Sequence, residues 1–491
     1  MRHTPAALLL LALALPALPA LAQDAAPTPA PSQELDLSGS WQGALSIGGT
    51  KLRLVFHFER EGEGYSAKID SVDQGAKGIP VSGVTLTGRK LVVEVAAVAG
   101  RYEGTLDAAG RELEGTWTQA GTALPLKLTK SKAEDLPALR RPQTPKAPFP
   151  YGLEEVSIRH GGGELSPVGS ITLAGTLTRP KGEGPHPAVV LVTGSGPQDR
   201  DETLLGHKPF AVIADYLTRR GFAVLRYDDR GVAKSTGDFA SATSFDLAQD
   251  AEASWRFLRQ QKGIDPARCG ILGHSEGGLI APLVAARQPE VSFVVLLAGP
   301  AVDGRAILEL QTQKIAAAAG ADPARVARDA ELSSQLYDVL LGEGELDARR
   351  AKAEQILVEY IQTLPKAELG GADAATIAQR RVASLTSPWF MAFLRHDPGP
   401  TLRQLKCPVL ALNGELDLQV DPGQNLPVMA RELEAGGNPD YTLIKLPKHN
   451  HLFQRCQTGA IGEYSRIEET CSPLTLRTLA EWLRRRFLER E

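Results

Sequence analysis

Three observations predict an α/β protein built on a doubly wound, mostly parallel sheet, preceded by a small antiparallel all-β domain. From Tyr151 onward, short apolar runs alternate with helix-like runs. Between Leu35 and Lys130, apolar residues instead alternate with period two. Ile271-Leu272-Gly273-His274-Ser275-Glu276-Gly277-Gly278 then sets a G-x-S-x-G turn between a strand-like and a helix-like run. The first pattern is that of strands buried on both faces, the second that of strands with one wet face. The third is the context of a nucleophile elbow, a turn so tight that the serine hydroxyl projects above the sheet.

The chain has 491 residues, more than one ordinary domain holds. Its net charge of −4 and 23% charged residues give no basis for a nucleic-acid or polybasic membrane partner. Residues 1–22 read as a signal peptide. Arg2 supplies the positive end, Leu8 to Leu21 the apolar run, and Ala20-Leu21-Ala22 the small-x-small cleavage site. The run is too short and too interrupted by Pro16 and Pro19 for a stable membrane anchor. A periplasmic or secreted location follows, with cleavage near Ala22. Export makes the four cysteines informative: Cys456 and Cys471 bracket a polar loop and are expected to form a disulfide, whereas Cys269 and Cys407 read as core thiols.

Residues 23–34 are rich in Ala, Pro, Ser and Gln and lack a core-forming pattern. The β domain, 35–130, is expected to be a barrel or sandwich of about eight strands; Lys51 to Phe58 shows the clearest alternation. His57 stands alone there and reads as a surface or packing residue. Residues 131–150 form a linker stiffened by Pro137, Pro142, Pro145, Pro148 and Pro150.

The second domain spans 151–491. Val156–Arg159 and Ile171–Leu177 open it as an antiparallel pair, and Ala188–Val192 is the first doubly buried strand. Phe210–Leu217 and Leu247–Leu258 are helices, separated by the strand Phe222–Leu225. After Phe293–Leu297 the alternation stops for 303–403, where Leu332, Leu336, Val339 and Leu340 fall at helical spacing. That segment is expected to be a helical lid. The sheet resumes at Pro408–Leu412 and Tyr441–Leu446, and Ser472-Pro473 caps a last helix.

A serine nucleophile needs a base within hydrogen-bond reach and a carboxylate to orient the base. In this topology the chain order is serine, acid, histidine. Ser275 is the nucleophile. Asp417, after the strand ending near Leu412, is the first choice of acid, ahead of Asp421 and Glu415. The base is His449 or His451, just past the last strand, whereas His396 reads as structural. The oxyanion hole takes one N–H from Glu276 and one from Ser195 or Gly196, in the loop Thr193-Gly194-Ser195-Gly196-Pro197. No metal or other cofactor is called for.

Five stretches carry a family resemblance. They are Gly194 to Asp201, Asp229-Arg230-Gly231-Val232, Gly273 to Gly278, Ser387-Pro388-Trp389-Phe390 and Asn450-His451-Leu452-Phe453-Gln454. Together they resemble the bacterial carboxylesterases of the α/β-hydrolase superfamily, of the EstD-like kind with an extra N-terminal domain. The resemblance implies a Ser275–His451–Asp417 triad, with His451 favoured over His449, and a small-molecule ester with a short acyl chain as substrate. Gly194 and Trp389 are expected at the substrate site. Ala233 departs from the family, which usually has Gly there. A serine peptidase or acylaminopeptidase on the same fold, and a non-catalytic binding protein, are the rival functions. The sequence leaves the oligomeric state open.

Overall fold

A computed structural model describes residues 36–47, 50–74, 76–119, 122–136, 140–161, 170–365 and 373–489. The expected signal peptide and the stretch 23–34 lie outside the described residues. The chain divides into two compact units: Met1–Leu139 with Glu354–Arg380, and Arg140–Ala353 with Arg381–Glu491. The first break falls inside the proline-rich stretch.

The N-terminal unit is one antiparallel sheet rolled into a half-barrel. Its strands are β1 (Gly39–Ile47), β2 (Thr50–Glu61), β3 (Gly64–Ser71), β4 (Ala76–Pro80), β5 (Gly83–Thr87), β6 (Lys90–Val95), β7 (Gly100–Leu106), β8 (Glu112–Gln119) and β9 (Thr122–Ser131). Their order is β4-β3-β2-β1-β9-β8-β7-β6-β5. Alternate residues fill the inside: Trp41, Phe56, Phe58, Tyr102 and Trp117 form one apolar cluster with Leu91 and Val93. The sheet has nine strands, one more than the eight that alternation suggests. The additional strand is β4, Ala-Lys-Gly-Ile-Pro, which buries no residue fully and so carries no period-two signal. His57 lies on the partly exposed face, between the Ser40 hydroxyl at 2.9 Å and Asp70 at 3.2 Å.

The C-terminal unit contains β10 (Gly152–His160), β11 (Ile171–Arg179), β12 (His186–Val192), α1 (Pro209–Thr218), β13 (Ala223–Tyr227), α2 (Ser244–Arg259), β14 (Ile264–His274), α3 (Gly277–Arg287) and β15 (Val294–Leu297). Six helices follow: α4 (Gly304–Ala318), α5 (Pro323–Leu341), α6 (Leu346–Gln362), α7 (Ala374–Leu385), α8 (Pro388–Arg395) and α9 (Gly399–Leu402). The chain returns through β16 (Val409–Gly414), α10 (Pro422–Ala435), β17 (Tyr441–Leu446), α11 (Ile461–Tyr464) and α12 (Pro473–Phe487). The sheet order is β10-β11-β13-β12-β14-β15-β16-β17. β10, β11 and β13 pair antiparallel, and every pairing from β13 to β17 is parallel.

The continuous apolar runs have a simple cause. In β12, Val190 and Val192 join one buried cluster and Val189 and Leu191 the other, on the opposite face. β16 repeats this with Val409 and Ala411 against Leu410 and Leu412. Helices α2 and α3 cover the first face, and α1 and α12 contribute to the second. Burial of these side chains stabilises the unit by ~1.5–3 kcal/mol for each fully buried Val, Leu or Ile.

The expected insert is helical, but it is divided. Glu354–Arg380, comprising the end of α6 and the start of α7, groups with the N-terminal unit. The buried Leu357, Ile361 and Ala378 of these helices lie outside both clusters that cover the second sheet. Among the described residues no helix is long and apolar enough to cross a membrane.

Candidate active site

The site is assembled at the carboxyl ends of the parallel strands. β14 delivers Ser275 in a left-handed conformation, φ 53°, and α3 begins two residues later. The flanking glycines follow from close approach. A Cβ on Gly273 would sit 1.8 Å from the Gly277 carbonyl, and one on Gly277 would sit 2.2 Å from the Val192 carbonyl. Any side chain at either position would force the turn open. The strained serine is tied by its own N–H to the Leu297 carbonyl at 2.8 Å. It is partly exposed between buried neighbours.

Asp417 and His451 come together as the order of strands requires. Asp417, 1% exposed, follows β16, and His451, 4% exposed, follows β17. His451 Nδ1 donates to Asp417 Oδ2 at 2.9 Å. The carboxylate is fixed in turn by the N–H groups of Gln419 and Val420 on Oδ1, at 2.8 and 2.9 Å, and by the Asn413 amide on Oδ2 at 3.2 Å. Asn450 braces the base loop: its Oδ1 accepts the N–H groups of Leu452 and Gln454, both at 3.0 Å. The Ser275 hydroxyl makes no hydrogen bond to His451 among the described residues. In unliganded hydrolases this contact is often long and tightens with substrate.

The alternatives have other employment. Asp421 is the N-cap of α10, accepting from Gln424 N–H at 2.8 Å, and pairs with Lys314. Glu415 accepts the Lys448 N–H at 2.9 Å. His449 lies between the Pro447 carbonyl and the Ser472 hydroxyl, at 2.7 and 2.6 Å. His396 packs its ring edge-on to Phe245, with centroids 5.3 Å apart.

The loop after β12 borders the serine. A Cβ on Gly194 would lie 3.2 Å from Ser275 Cβ, so the backbone itself approaches the nucleophile. Gly194 N–H donates to Glu202 Oε1 at 2.7 Å, which leaves Ser195 and Gly196 as candidate oxyanion donors from this loop. Gly196 has φ 91°. Asp229 holds the loop from below: Oδ1 accepts the Thr193 hydroxyl at 2.9 Å and Oδ2 the Gln198 N–H at 3.0 Å. Burial pushes the Asp229 carboxyl well above its usual range, against these hydrogen bonds. The next residue, Arg230, is clamped by Asp250 in a bidentate pair along one guanidinium edge, Nε on Oδ2 and Nη2 on Oδ1. Asp229 of the Asp-Arg-Gly motif therefore supports the loop after β12.

Glu276 stands at the start of α3, where the first N–H groups of a helix lack intrahelical acceptors. Its buried side chain accepts the Ser244 hydroxyl at 2.5 Å and the Trp389 indole N–H at 2.7 Å. Burial raises its carboxyl above the usual range, and these hydrogen bonds oppose the rise. Trp389 stacks on Phe393, rings 5.4 Å apart and 13° from parallel. The expected substrate residue is thus also a bridge from α8 to the elbow.

The expected Cys456–Cys471 disulfide is absent: both are free thiols. Cys471 is turned into the apolar cluster with Phe210, Leu297 and Phe453, while Cys456 Sγ lies 3.7 Å from the Lys448 carbonyl. Burial pushes the Cys456 thiol up to about 11 and that of Cys471 higher still. Sequence reasoning also missed Glu202 and His274, which are hydrogen-bonded to each other beside the serine at 2.8 Å. The His preceding Ser275 was in view, but nothing in the pattern named its partner.

Sheet order, elbow and loop placement define the C-terminal unit as an α/β-hydrolase by fold. Residues 208–452 match the family described as serine aminopeptidase, S33. Over 139 residues the chain is 39% identical to esterase EstD of Thermotoga maritima, an alignment covering 28% of this chain and 33% of that esterase. The chain therefore spans about a third of that relative's length. Among solved structures it is similar to the Pyrococcus furiosus esterase Pf2001, at 15% identity over 72% of this chain and 98% of the other, with a TM-score of 0.41. It is also similar to the α/β-hydrolase GrgF from Penicillium sp. sh18, at 15% identity over 69% and 100%, with a TM-score of 0.44. The expected resemblance to EstD-like bacterial esterases is borne out.

Proposed function

We propose that the chain is a serine carboxylesterase that hydrolyses small esters with short acyl chains through an acyl-enzyme. The observation that carries this reading is the buried His451–Asp417 hydrogen bond, in the same unit as a serine held on a strained elbow. Asp417 keeps the proton on His451 Nδ1, so Nε2 is the basic nitrogen. Ser275 Oγ attacks the ester carbonyl carbon while its proton passes to His451 Nε2. The carbonyl oxygen becomes an oxyanion facing the N–H groups of Glu276 and of Ser195 or Gly196. As the tetrahedral intermediate collapses, the same proton moves to the leaving alkoxide and the alcohol departs. Water, deprotonated by His451, then releases the acid and restores the serine.

A serine peptidase is the second reading, favoured by the description of the matching family. His451 could protonate an amine leaving group as readily as an alkoxide, so the chemistry of the site permits both. Fluorophosphonate labelling of Ser275, followed by matched ester and amide substrates of equal acyl length, separates the two. Labelling with ester turnover at least ~100-fold above amide turnover supports the esterase; the reverse ratio supports the peptidase. An unlabelled, inert protein returns the fold to a binding role. We also propose export, on the strength of Arg2 and the Leu8–Leu21 run. N-terminal sequencing of the mature protein tests it, and an intact Met1 would count against it.

A further inference from the structure

His274 precedes the serine and has no part in the acyl-transfer steps. Its Nε2 lies 3.0 Å from the His451 backbone carbonyl, and its Nδ1 lies 2.8 Å from Glu202 Oε1. A carbonyl oxygen can only accept, so Nε2 carries a proton. Glu202 Oε1 also receives the Gly194 N–H at 2.7 Å. Two nitrogens converging on one oxygen is the arrangement of an ionised carboxylate, so Nδ1 carries a proton as well. The ring is then an imidazolium, buried with its counter-charge: Glu202 and His274 are each 6% exposed. The chain accepts backbone strain to aim this carboxylate, since Glu202 has φ 52°.

We propose that His274 is a positioning residue held as an imidazolium by Glu202, which ties the oxyanion loop, the nucleophile elbow and the backbone of the base into one strut. The role rests on the triad reading above. Three loops from distant parts of the chain meet at the strut: Gly194 through Glu202, Ser275 through the adjacent peptide, and His451 through its carbonyl. The His274 and His451 rings are 4.9 Å apart, centroid to centroid.

The other groups around the pair do not compete for the proton. Phe210, Ile213, Leu297, Leu452 and Phe453 line the small cavity beside it, with Cys471, whose buried thiol stays protonated. Burial alone would drive the proton off His274. The Glu202 charge, the hydrogen bond to it, the His451 carbonyl and the Asp417 charge outweigh that and hold His274 above the ordinary imidazole value.

The test uses the full chain labelled with 15N-histidine, with the His274 signal assigned by its loss in His274→Gln. In the wild type one ring should keep both N–H protons at a pH where an ordinary imidazole has already lost one. Glu202→Gln removes the counter-charge and leaves a neutral amide where both nitrogens converge on Oε1, so it should convert that ring to a neutral one. kcat should fall ~10-fold or more with KM within ~2-fold, as expected when reacting groups are misplaced while substrate binding is kept. A bare Nδ1 in the wild type just above the ordinary imidazole value would overturn the proposal. So would a folded Glu202→Gln with a neutral His274 but an unchanged kcat. If His274→Gln does not fold, Glu202→Gln carries the test alone. The ring signal is read without turnover, so it stands or falls separately from the serine assignment, which Ser275→Ala decides.

Discussion

The indole N–H of Trp389 donates to Oε1 of Glu276, the residue directly after the candidate nucleophile, across 2.7 Å. One hydrogen bond thus connects α8, from the helical insert, to the start of α3. It meets the Ser244 hydroxyl on the same oxygen, so α2 is joined to the same point. Trp389→Phe would keep the stack on Phe393 and remove only the donor. A lost hydrogen bond to a buried group costs about 1–2 kcal/mol, so kcat/KM should fall roughly 5- to 30-fold by the same factor for every acyl length. Trp389→Ala removes the ring too and should alter the acyl-length profile. A kcat/KM series from acetyl to dodecanoyl esters in both variants distinguishes loss of the strut from loss of a pocket wall.

Ser275→Ala should abolish turnover and fluorophosphonate labelling while leaving thermal unfolding near that of the wild type. Within the two candidate pairs, His451→Ala should be far more damaging to kcat than His449→Ala, and Asp417→Asn more than Asp421→Asn, by about 10³-fold or more. Asp421→Asn removes an ion pair to Lys314 but retains a good N-cap, so its effect should be small. Steady-state kinetics on variants checked for folding by circular dichroism gives the answer. Equal losses within either pair would remove that assignment.

Ala233 occupies a left-handed backbone position, φ 46°, where glycine is at ease and alanine is strained. At this residue the sequence departs from the glycine of the EstD-like pattern. Ala233→Gly should therefore stabilise the protein by up to about 1 kcal/mol, the relief of strain exceeding the added freedom of the unfolded chain. Activity should be unchanged, because Ala233 belongs to the loop after the Asp-Arg-Gly motif and not to the serine's surroundings. Chemical denaturation of the two proteins at the same pH checks the sign.

What was readable in the sequence was whatever depends on local geometry or on chain order. Gly273 and Gly277 announce a turn whose backbone groups leave no room for a Cβ, and Ser472-Pro473 announces a helix start. Asp417 and the pair His449 and His451 could be placed because loops after parallel strands emerge at one end of the sheet, and the family resemblance then favoured His451. What could not be read depends on where side chains turn. The spacing of Cys456 and Cys471 suits a bridge, but Cys471 faces the apolar cluster instead. Glu202 and His274 are 72 residues apart, and no periodicity links them. The division of the insert at Glu354–Arg380 escaped for a similar reason, since helical spacing gives a face but not the surface that covers it.

His207 supplies a pH-dependent share of stability that is separable from catalysis. Its ring is buried, with Nδ1 2.9 Å from the Thr470 hydroxyl and Nε2 3.0 Å from the Tyr464 carbonyl. Burial disfavours the charged ring and pushes its pKa down to about 4, with the hydrogen bond to Tyr464 opposing the change. In the unfolded chain the value returns to about 6.5. A group depressed on folding contributes fully above its unfolded pKa and loses that contribution as pH falls through the folded one. The window is therefore pH ~6.5 down to ~4, and the amount is about 2–3 kcal/mol. His207→Gln keeps a neutral side chain that can hydrogen-bond and has nothing to titrate. Its unfolding free energy should fall less steeply between pH 7 and 4 than that of the wild type, the two curves converging toward the acid end. Urea titrations at half-unit pH intervals measure this directly, and parallel curves would mean that His207 titrates in the native state as it does in the unfolded chain.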